Sequence, residues 1–558
     1  MNSHVSPQKR TDRAPAPAAE HPDVIIVGAG PIGMALALDL AARGVRSTIL
    51  EKTDGSIQTP KLGLVGIRSM EIFRRIGLSS YVRQTEFKRD YGLSMVYTTT
   101  LSGHFLGKIP YPSLQDQGDV AESPETKWRC SQLFLNPMLE ARVKACTLID
   151  YRLLTRVDSF EDMGEEVVVH TTDEVTGEKR IYTAPYMVGC DGAGSNVRRQ
   201  LGIEMHGQRK LDYSVAIFFR SAELSSSHQM GDAERYFVMD ENGWWGNVSA
   251  MDGKELWRLT VVTKSEEEAQ AVIAAGKSWI VRALGSDTIP FELISALPWR
   301  RSELIAETFQ SGRIILAGDS AHTMSPTGGF GMNTGLGDVD NLSWKLAAVL
   351  QGWGGQALLD SYTNERHPIA VRNSAASTHN YKQLKSVANC AGIDEDSPEG
   401  EAVRKAVGDQ IRSATETEWE TLGIHLGYRY EGSPVVVADG TDAPADDSRW
   451  YQPTTRPGHR APHHWLAGNS PNGLSTLDLF GAGFVLIRLG KGPVDVAAMR
   501  AIALQRGIPL RVVDLDDAAV AALYETRLVL VRPDGHVCWR GDSEPEDSVA
   551  VWSQVTGA

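Results

Sequence analysis

The most constraining feature of the chain is an apolar segment that runs into a glycine-rich turn and then into a helix-forming stretch. Residues 24–33 read Val-Ile-Ile-Val-Gly-Ala-Gly-Pro-Ile-Gly, and Glu51 closes the next apolar segment, 18 residues after Gly33. Glycines at these positions permit a tight turn and let a pyrophosphate approach the positive end of a helix. A carboxylate after the second strand can accept hydrogen bonds from a ribose diol. The segment therefore predicts an adenine dinucleotide site.

Composition limits the classes of partner and compartment. The chain has 558 residues, enough for two or three domains, and a net charge of −14, which disfavours nucleic acids and anionic membrane surfaces. Five scattered cysteines without a CxxC pair indicate a reducing cytoplasm and predict neither a disulfide framework nor a metal site. Residues 1–22 are rich in Pro, Ala and charge, which predicts a disordered tail, and no segment is apolar enough to span a membrane.

Two further strand–turn signals divide the rest of the chain. The first ends in Cys190-Asp191-Gly192, and the second ends in Gly318-Asp319, continues through a glycine-rich stretch and leads into a helix from Asp338. Residues 211–263 alternate and are rich in aromatics, which predicts antiparallel strands. Residues 360–430 are predicted to be mainly helical, and an acidic stretch over 436–448 is predicted to link them to a small α/β domain.

These three motifs, in this order, resemble those of the group A FAD-dependent aromatic monooxygenases, the p-hydroxybenzoate hydroxylase-like enzymes. Several segments resemble the phenol hydroxylase and polyketide hydroxylase branch, including actinobacterial natural-product hydroxylases. The resemblance implies an α/β fold, in which a Rossmann-like FAD-binding domain is interleaved with an antiparallel-sheet substrate domain. It implies bounds of 23–445 for these two domains, with the substrate sheet mainly in 85–120 and 205–300. A thioredoxin-like C-terminal α/β domain is expected over 446–558.

The same resemblance assigns the cofactor residues. Glu51 is expected at the adenosine ribose, Arg129 and Gln132 near the FAD phosphates and ribityl chain, and Asp319 at the ribityl hydroxyls. Backbone N–H groups of Met332 and Asn333 are expected at the flavin edge, where a helix N-terminus favours the anionic reduced ring. The full predicted FAD set is Gly28, Gly30, Ile32, Gly33, Glu51, Lys52, Arg129, Gln132, Val157, Asp191, Asp319, Pro326, Gly329, Gly331, Met332 and Asn333.

Three features depart from the family pattern. Lys61 follows Pro60 where the family usually has arginine, so a bidentate phosphate contact is not expected there. Ser325-Pro326 replaces the usual Pro-Pro pair. The C-terminal domain has no CxxC motif, which excludes thioredoxin chemistry and leaves a structural or dimer-contact role.

The activity implied is NAD(P)H-consuming hydroxylation of a phenolic or polycyclic natural-product substrate by FAD and O₂ through a flavin C4a-hydroperoxide. Two alternatives stay open within the family, namely Baeyer–Villiger-type oxygen insertion on a polyketide and hydroxylation of a small catabolic phenol. A nicotinamide dehydrogenase is disfavoured because it has no ribityl chain for Gly318-Asp319 to hold, and a flavin-binding scaffold without activity is the non-enzymatic alternative. The expected partner is a small aromatic molecule, with no nucleic acid or membrane, and a homodimer is left open.

Other polar and aromatic residues give weaker signals. Trp244, Trp245 and Trp257 are candidates for a flat aromatic substrate pocket, with sheet core as the alternative. His322 is expected to support the Gly318-Asp319 loop, and His463-His464 is expected at the surface without a metal role. No residue is identified as the general base.

Overall fold

The structure is a computed structural model that describes residues 21–57, 61, 63–387, 389–466, 473–490, 492 and 494–558, with the side chains of 415–419 excepted. Residues 1–20, which hold most of the predicted disordered tail, lie outside the described residues, as do Pro60 and Leu62. None of the described helices is both long and apolar enough to cross a membrane.

The strands of the described chain follow in sequence order. They are β1 (Val24–Val27), β2 (Ser47–Leu50), β3 (Leu64–Val65), β4 (Met95–Thr98), β5 (Phe105–Ile109), β6 (Trp128–Arg129), β7 (Ile149–Arg152), β8 (Thr155–Asp162), β9 (Val167–Asp173), β10 (Lys179–Ala184), β11 (Tyr186–Gly189), β12 (Met205–Arg220), β13 (Arg235–Asp240), β14 (Gly243–Ala250), β15 (Leu256–Thr263), β16 (Glu292–Ala306), β17 (Gln310–Ser311), β18 (Ile314–Leu316), β19 (His322–Thr323), β20 (Trp465–Leu466), β21 (Leu474–Ser475), β22 (Phe484–Leu489), β23 (Leu510–Leu515), β24 (Leu528–Val531) and β25 (Val537–Gly541).

The helices of the same residues are concentrated in three regions: the first 200 residues, the stretch from 266 to 426, and the C-terminal domain. They are α1 (Pro31–Ala42), α2 (Ile67–Arg75), α3 (Ser79–Arg83), α4 (Gln132–Ala145), α5 (Asn196–Gln200), α6 (Glu266–Ala274), α7 (Gly276–Leu284), α8 (Phe330–Leu350), α9 (Gln356–Lys385), α10 (Pro398–Trp419), α11 (Leu422–Leu426), α12 (Ala497–Gln505), α13 (Ala518–Tyr524) and α14 (Ser548–Thr556).

A six-stranded sheet brings the three sequence motifs to one edge. Its order is β17-β18-β11-β1-β2-β7, and every neighbouring pair except β17 with β18 is parallel. The four central parallel strands, β1, β2, β11 and β18, are buried, as expected for short strands covered on both faces, whereas the edge strand β7 is partly exposed. The carboxyl ends of β1, β11 and β18 carry the Gly28 turn, the Asp191 turn and the Gly318 turn, so all three lie side by side.

A second sheet has eight strands in the order β19-β16-β12-β15-β14-β13-β4-β5 and is antiparallel except where β13 pairs with β4. Its longest strands are β12 and β16. They begin inside the predicted substrate region of 205–300, and β16 continues beyond that region to Ala306. One face packs against α9 and α10 through Tyr97, Phe237 and Met239. The α/β fold with an interleaved antiparallel sheet is therefore the predicted one, whereas the exact domain bounds stay a prediction.

The helix after the Gly318 turn begins at Phe330 rather than near Asp338. The expectation placed glycines 331–337 in a loop, but Gly335 and Gly337 lie inside α8. A Cβ atom on Gly335 would stand 2.8 Å from Ile32 Cδ1, and one on Gly337 would stand 2.7 Å from Arg366 Nη2. These glycines therefore allow close approach of α1 and α9 to the helix and do not form a turn.

The C-terminal domain contains a four-stranded sheet of order β23-β22-β24-β25, with β22 and β23 parallel. Helices α12 and α14 pack beside it, and Phe484 of β22 contacts Trp344 of α8, so its core continues into the FAD-binding domain.

His463 is buried and pairs with Ser475 Oγ at 2.7 Å, so its expected surface position is wrong. Among the described residues no group of three or more His, Cys, Asp or Glu side chains forms a candidate metal site.

Candidate active site

The turn after β1 packs directly on the two other motif loops. Gly28 has a φ of +110°, and a Cβ atom there would lie 2.5 Å from the Cys190 carbonyl oxygen. On the other side, a Cβ atom on Gly318 would lie 3.0 Å from Ile32 Cγ1. Only glycine fits both places without moving the backbone. The β1–α1 segment therefore contacts both the Asp191 turn and the Gly318 turn.

The carboxylate of Glu51 is fixed beside the N-terminus of α1. It accepts hydrogen bonds from Ala29 N at 2.9 Å and from Thr53 N at 2.8 Å, and Lys52 beside it is exposed. Thr155 N donates to the Glu51 carbonyl at 2.8 Å, which brings the start of β8 and the buried Val157 to this side of the site.

A cavity of about 210 Å³ opens next to Glu51, at the side where an adenosine is expected. Its lining residues are Ala29, Met34, Gly55, Ser56, Ile57, Leu133, Asn136, Pro137, Glu140 and Tyr151. Gln132 begins α4, the helix that contributes four of these residues. This wall is mixed polar and apolar, as a purine nucleoside requires.

Several groups at this edge of the six-stranded sheet are suited to binding a dinucleotide. A Cβ atom on Gly30 would meet nothing within 4 Å, so the space beside the N-terminus of α1 is open, and no side chain caps this terminus. Asp191 Oδ2 accepts from Asn196 N at 2.7 Å, while its buried Oδ1 has no hydrogen-bond partner among the described residues. Backbone donors beside a free acceptor are what a pyrophosphate and a hydroxylated chain would engage. The residues present therefore fit FAD.

The Gly318–Asp319 turn is anchored by a buried ionic cluster. Asp338 Oδ2 accepts from Gly318 N at 3.0 Å and from His322 Nε2 at 2.7 Å, and Asp338 Oδ1 accepts from Arg366 Nε at 2.8 Å. Burial opposes ionisation of Asp338, but the charges of His322 and Arg366 hold the pKa of its carboxyl below the usual value. His322 thus supports the loop, and Asp319 is left partly exposed with Lys61 Nζ 3.3 Å from its carboxylate.

The glycine-rich stretch after Pro326 turns sharply into α8. Gly328 and Gly329 have φ values of +84° and +72°, and the first turn of α8 has no side-chain cap. The N–H groups of Gly331 and Met332 therefore lie at an uncapped helix N-terminus, where an anionic flavin edge would be stabilised.

Asn333 joins this loop to the segment around β3. Its Nδ2 donates to Leu64 O at 2.9 Å and to Gly329 O at 2.7 Å, and its Oδ1 accepts from Gly66 N at 2.8 Å. Ser69 Oγ also donates to this Oδ1 at 2.6 Å. One amide thus fixes the two chain segments that enclose the expected position of the flavin ring.

Replacing Asn333 with leucine is expected to weaken FAD binding about 10- to 100-fold, because unmet buried backbone groups cost about 1–3 kcal/mol and the loop loses its anchor. The measurement is the FAD dissociation constant by flavin fluorescence. Ser302→Ala, which removes a hydroxyl bonded to Thr323 Oγ1 outside this loop, is the matched control and should bind FAD normally. Normal FAD binding by the Asn333 variant would contradict this assignment.

A narrow cavity lies between the eight-stranded sheet and the loop at Gly328. Its lining residues are Leu64, Leu93, Met95, Tyr111, Gln117, Lys127, Trp128, Arg129, Glu234, Gly328 and Thr421. Arg129 forms an ion pair here with the buried Glu234, a contact that its expected role at the FAD phosphates did not foresee. The cavity has a volume of about 20 Å³, and its walls are partly apolar and partly polar or charged.

The three candidate pocket tryptophans point in different directions. Trp244 packs edge-on against Tyr381 of α9, and Trp245 packs against Trp279 of α7 with ring centroids 5.5 Å apart. Trp257 is fully buried and donates its Nε1 proton to Ser221 O at 3.0 Å. Successive residues of a strand face opposite sides of a sheet, so these indoles do not form one wall.

Four residues of the site were not identified from the sequence. Glu234 and Lys127 lie in segments without a motif, and Asp338 and Arg366 are separated by 28 positions, so no local spacing links them. One signal for two of these residues was available in the sequence. Asp338 and Arg366 are charged residues inside predicted helices whose other residues belong mainly to the core.

Comparison with known proteins identifies two parts of the chain. A model described as an FAD binding domain matches residues 21–377, and one described as the C-terminal domain of aromatic-ring hydroxylases matches residues 454–558. The chain is 31% identical to the FAD-dependent monooxygenase apdD of Emericella nidulans, over 96% of this chain and 90% of the relative. It is 30% identical to tetracenomycin A2 monooxygenase-dioxygenase of Streptomyces glaucescens, over 95% of each chain.

A solved structure shares the whole architecture. Chromopyrrolic acid-soaked RebC with bound 7-carboxy-K252c superimposes with a TM-score of 0.88 at 38% identity, covering 96% of this chain and 99% of that one. The match spans the FAD-binding, antiparallel-sheet and C-terminal parts, which confirms the predicted fold class and family. The chain thus belongs to the FAD-binding-domain family of aromatic-ring hydroxylases and is an FAD-dependent aromatic monooxygenase.

Proposed function

We propose that this enzyme transfers one atom of O₂ to a phenolic or polycyclic aromatic substrate and uses NAD(P)H to reduce its FAD. When bound, FAD would supply both the hydride-accepting and the oxygen-activating chemistry. The observation that carries the proposal is the meeting of the Gly28, Asp191 and Gly318 turns with the first turn of α8, beside a cavity in the antiparallel sheet.

The proposed role of each group follows from its position in the site. Glu51 would hold the adenosine ribose, the N-terminus of α1 the pyrophosphate, and Asp319 the ribityl hydroxyls. The uncapped N–H groups of Gly331 and Met332 would stabilise negative charge on the ring edge. The apolar side chains of Leu64, Leu93 and Met95 in the sheet cavity would exclude water from the reacting centre.

The size of the substrate is proposed from the relatives. One relative is named for tetracenomycin A2, and RebC was solved with bound 7-carboxy-K252c. Both names favour a multi-ring natural product over a small catabolic phenol. Formation of a homodimer and the exact route of oxygen activation stay predictions.

Asp319→Ala is expected to reduce FAD affinity about 10- to 100-fold, since a hydrogen bond to a charged group contributes about 1.5–3 kcal/mol. Its carboxylate is partly exposed, and its ion-pair partner among the described residues is the exposed Lys61, so the variant should fold normally. Equilibrium dialysis against FAD measures the effect, with Asp158→Ala as a control for a partly buried carboxylate in the three-stranded sheet. Equal FAD affinity in both variants would remove Asp319 from the site.

Product analysis tests the activity. The holoenzyme is incubated with NADH or NADPH, ¹⁸O₂ and two substrate panels, one of multi-ring phenols and one of single-ring phenols. The expected product carries one ¹⁸O atom as a new aromatic hydroxyl and comes from the multi-ring panel. A lactone or ester product would establish oxygen insertion instead, and NAD(P)H oxidation that yields only hydrogen peroxide with both panels would contradict the proposal.

A further inference from the structure

Arg301 of β16 joins the eight-stranded sheet to the loop at Gly328, which comprises residues 325–329. Its Nη1 donates to Ser325 Oγ at 2.8 Å and to Thr327 Oγ1 at 3.2 Å. All three side chains are buried. One cationic side chain of the sheet therefore holds two hydroxyl groups of the segment that leads into α8.

The direction of this guanidinium is fixed from its other side. Arg301 Nε donates to Asp212 Oδ2 at 3.2 Å, and Tyr381 of α9 donates its hydroxyl proton to the same oxygen. Burial, with a further effect of Asp212, raises the pKa of Tyr381, so this hydroxyl stays protonated. The guanidinium carbon of Arg301 lies 4.4 Å from the centre of the Tyr381 ring. Asp212 and Tyr381 thus hold Arg301 with its Nη1 toward the loop.

A break in the strand register brings Arg301 and Asp212 together. Gln208 of β12 pairs with Glu303 of β16, but Asp212 pairs with Arg301, so four positions of β12 span two positions of β16. With a regular register, Arg301 would stand opposite Lys210, and like charges in that position are destabilising. The irregularity of β12 therefore supplies Arg301 with a carboxylate in place of a second cation.

Helix α9 holds the same loop through its backbone. Ser377 Oγ lies 2.5 Å from the Ser325 carbonyl oxygen and 3.0 Å from the Thr327 carbonyl oxygen, and it donates its proton to these two acceptors. The hydroxyl oxygens of Ser325 and Thr327 lie 2.9 Å apart. The loop is therefore fixed from the sheet through its side chains and from α9 through its carbonyl groups.

The sequence of the loop makes this anchoring necessary. Ser325 has no ring to restrict its φ angle, unlike Pro326 beside it, so its backbone has to be held by neighbouring groups. Gly328 and Gly329 add further freedom directly before α8. A planar guanidinium can serve a carboxylate and two hydroxyl groups at fixed angles, which a lysine ammonium cannot reproduce.

We propose that Arg301 is a positioning residue that sets the distance between the loop at Gly328 and the eight-stranded sheet. Since Gly328 also lines the sheet cavity, this distance determines where the flavin ring lies relative to the substrate. The inference rests on the proposed function, in which the flavin ring lies against the first turn of α8. Arg301 acts through Ser325 and Thr327 and takes no part in the chemistry itself.

The test compares single and double variants of the full chain. Arg301→Lys keeps a positive charge for Asp212 but lacks the second arm that reaches the loop, and Ser325→Ala removes only the accepting hydroxyl. Each single variant is expected to bind FAD about 10-fold more weakly and to change the visible circular dichroism of the bound flavin. The double variant is expected to bind FAD no more than about 2-fold more weakly than Arg301→Lys, because both changes remove the same contact.

A matched control separates positioning from a general loss of stability. Ser221→Ala removes a buried hydroxyl directly after β12 that donates to Pro290 O at 2.7 Å, and it should leave the FAD affinity and the flavin spectrum unchanged. Urea unfolding of the FAD-free proteins should give similar midpoints for Ser221→Ala and Ser325→Ala. The flavin spectrum reports the surroundings of the ring, which a loss of stability alone does not alter.

Three results would overturn the inference: wild-type FAD affinity and flavin spectrum in Ser325→Ala, losses of affinity that multiply to about 100-fold in the double variant, or the same spectral change in Ser221→Ala. If one of these is found while the wild type hydroxylates an aromatic substrate, the proposed function stands and only the role of Arg301 falls.

Discussion

Replacing Glu365 with alanine is expected to lower the free energy of unfolding by about 3–5 kcal/mol, the cost of leaving buried charges without their partner. Glu365 is fully buried in α9 and accepts from Arg532 Nη1 at 2.6 Å and from Lys345 Nζ at 2.7 Å. It also accepts from Asn341 Nδ2 and Ser433 Oγ, both at 2.6 Å. Burial opposes its ionisation, but Arg532 and Lys345 hold the pKa of Glu365 far below its usual value.

This carboxylate links the FAD-binding part to the C-terminal domain, because Arg532 follows β24 while Lys345 lies in α8. Urea unfolding of the holoenzyme measures the effect, and Asp409→Ala on the exposed face of α10, where Asp409 pairs with Lys405, should leave the midpoint nearly unchanged. If Glu365→Ala unfolds at the wild-type midpoint, the buried ionic cluster does not hold the two domains together.

Replacing Gly30 with valine is expected to reduce FAD affinity at least 100-fold, about 2.7 kcal/mol. A Cβ atom on Gly30 meets no protein atom within 4 Å, so the space at this position is open. That open space is where the pyrophosphate would approach the N-terminus of α1. The variant should therefore fold and lose FAD.

Two further variants serve as controls, one for FAD binding and one for folding. A Cβ atom on Gly118 also meets no atom within 4 Å, but Gly118 lies in a loop outside the β1–α1 turn, so Gly118→Val should bind FAD like the wild type. Gly33→Val should disturb folding itself, because its Cβ atom would stand 2.1 Å from the Gly28 carbonyl oxygen. Melting of the FAD-free proteins and FAD titration separate the two effects, and wild-type FAD affinity in Gly30→Val would remove the pyrophosphate from this turn.

The parts of the fold that were predictable from the sequence are those encoded by local spacing. The bounds of β1 and β2 follow from four-residue strand-forming runs that end before Gly28 and Glu51, and the order of the three motifs indicated the family and FAD. The start of α8 was not predictable, since glycines that serve helix packing at Gly335 and Gly337 look like loop glycines in the sequence. Only the position of Ile32 and Arg366 in space distinguishes the two cases.

The substrate side of the site was less predictable for a related reason. Aromatic density suggested Trp244, Trp245 and Trp257, but the pleat of β14 and the burial of β15 send these indoles to different neighbours. The charged edge of the cavity comes from Lys127, Arg129 and Glu234, which meet only when β6 lies against the eight-stranded sheet. Pairing between such distant segments has no signature in one sequence.

A crystal structure of the FAD complex would locate the cofactor. We expect adenosine in the cavity beside Glu51 and Tyr151, and the flavin ring against the first turn of α8, with its open face toward Lys127 and Arg129. A flavin bound away from the Gly328 loop, or an adenosine outside the cavity of about 210 Å³, would contradict this placement of FAD.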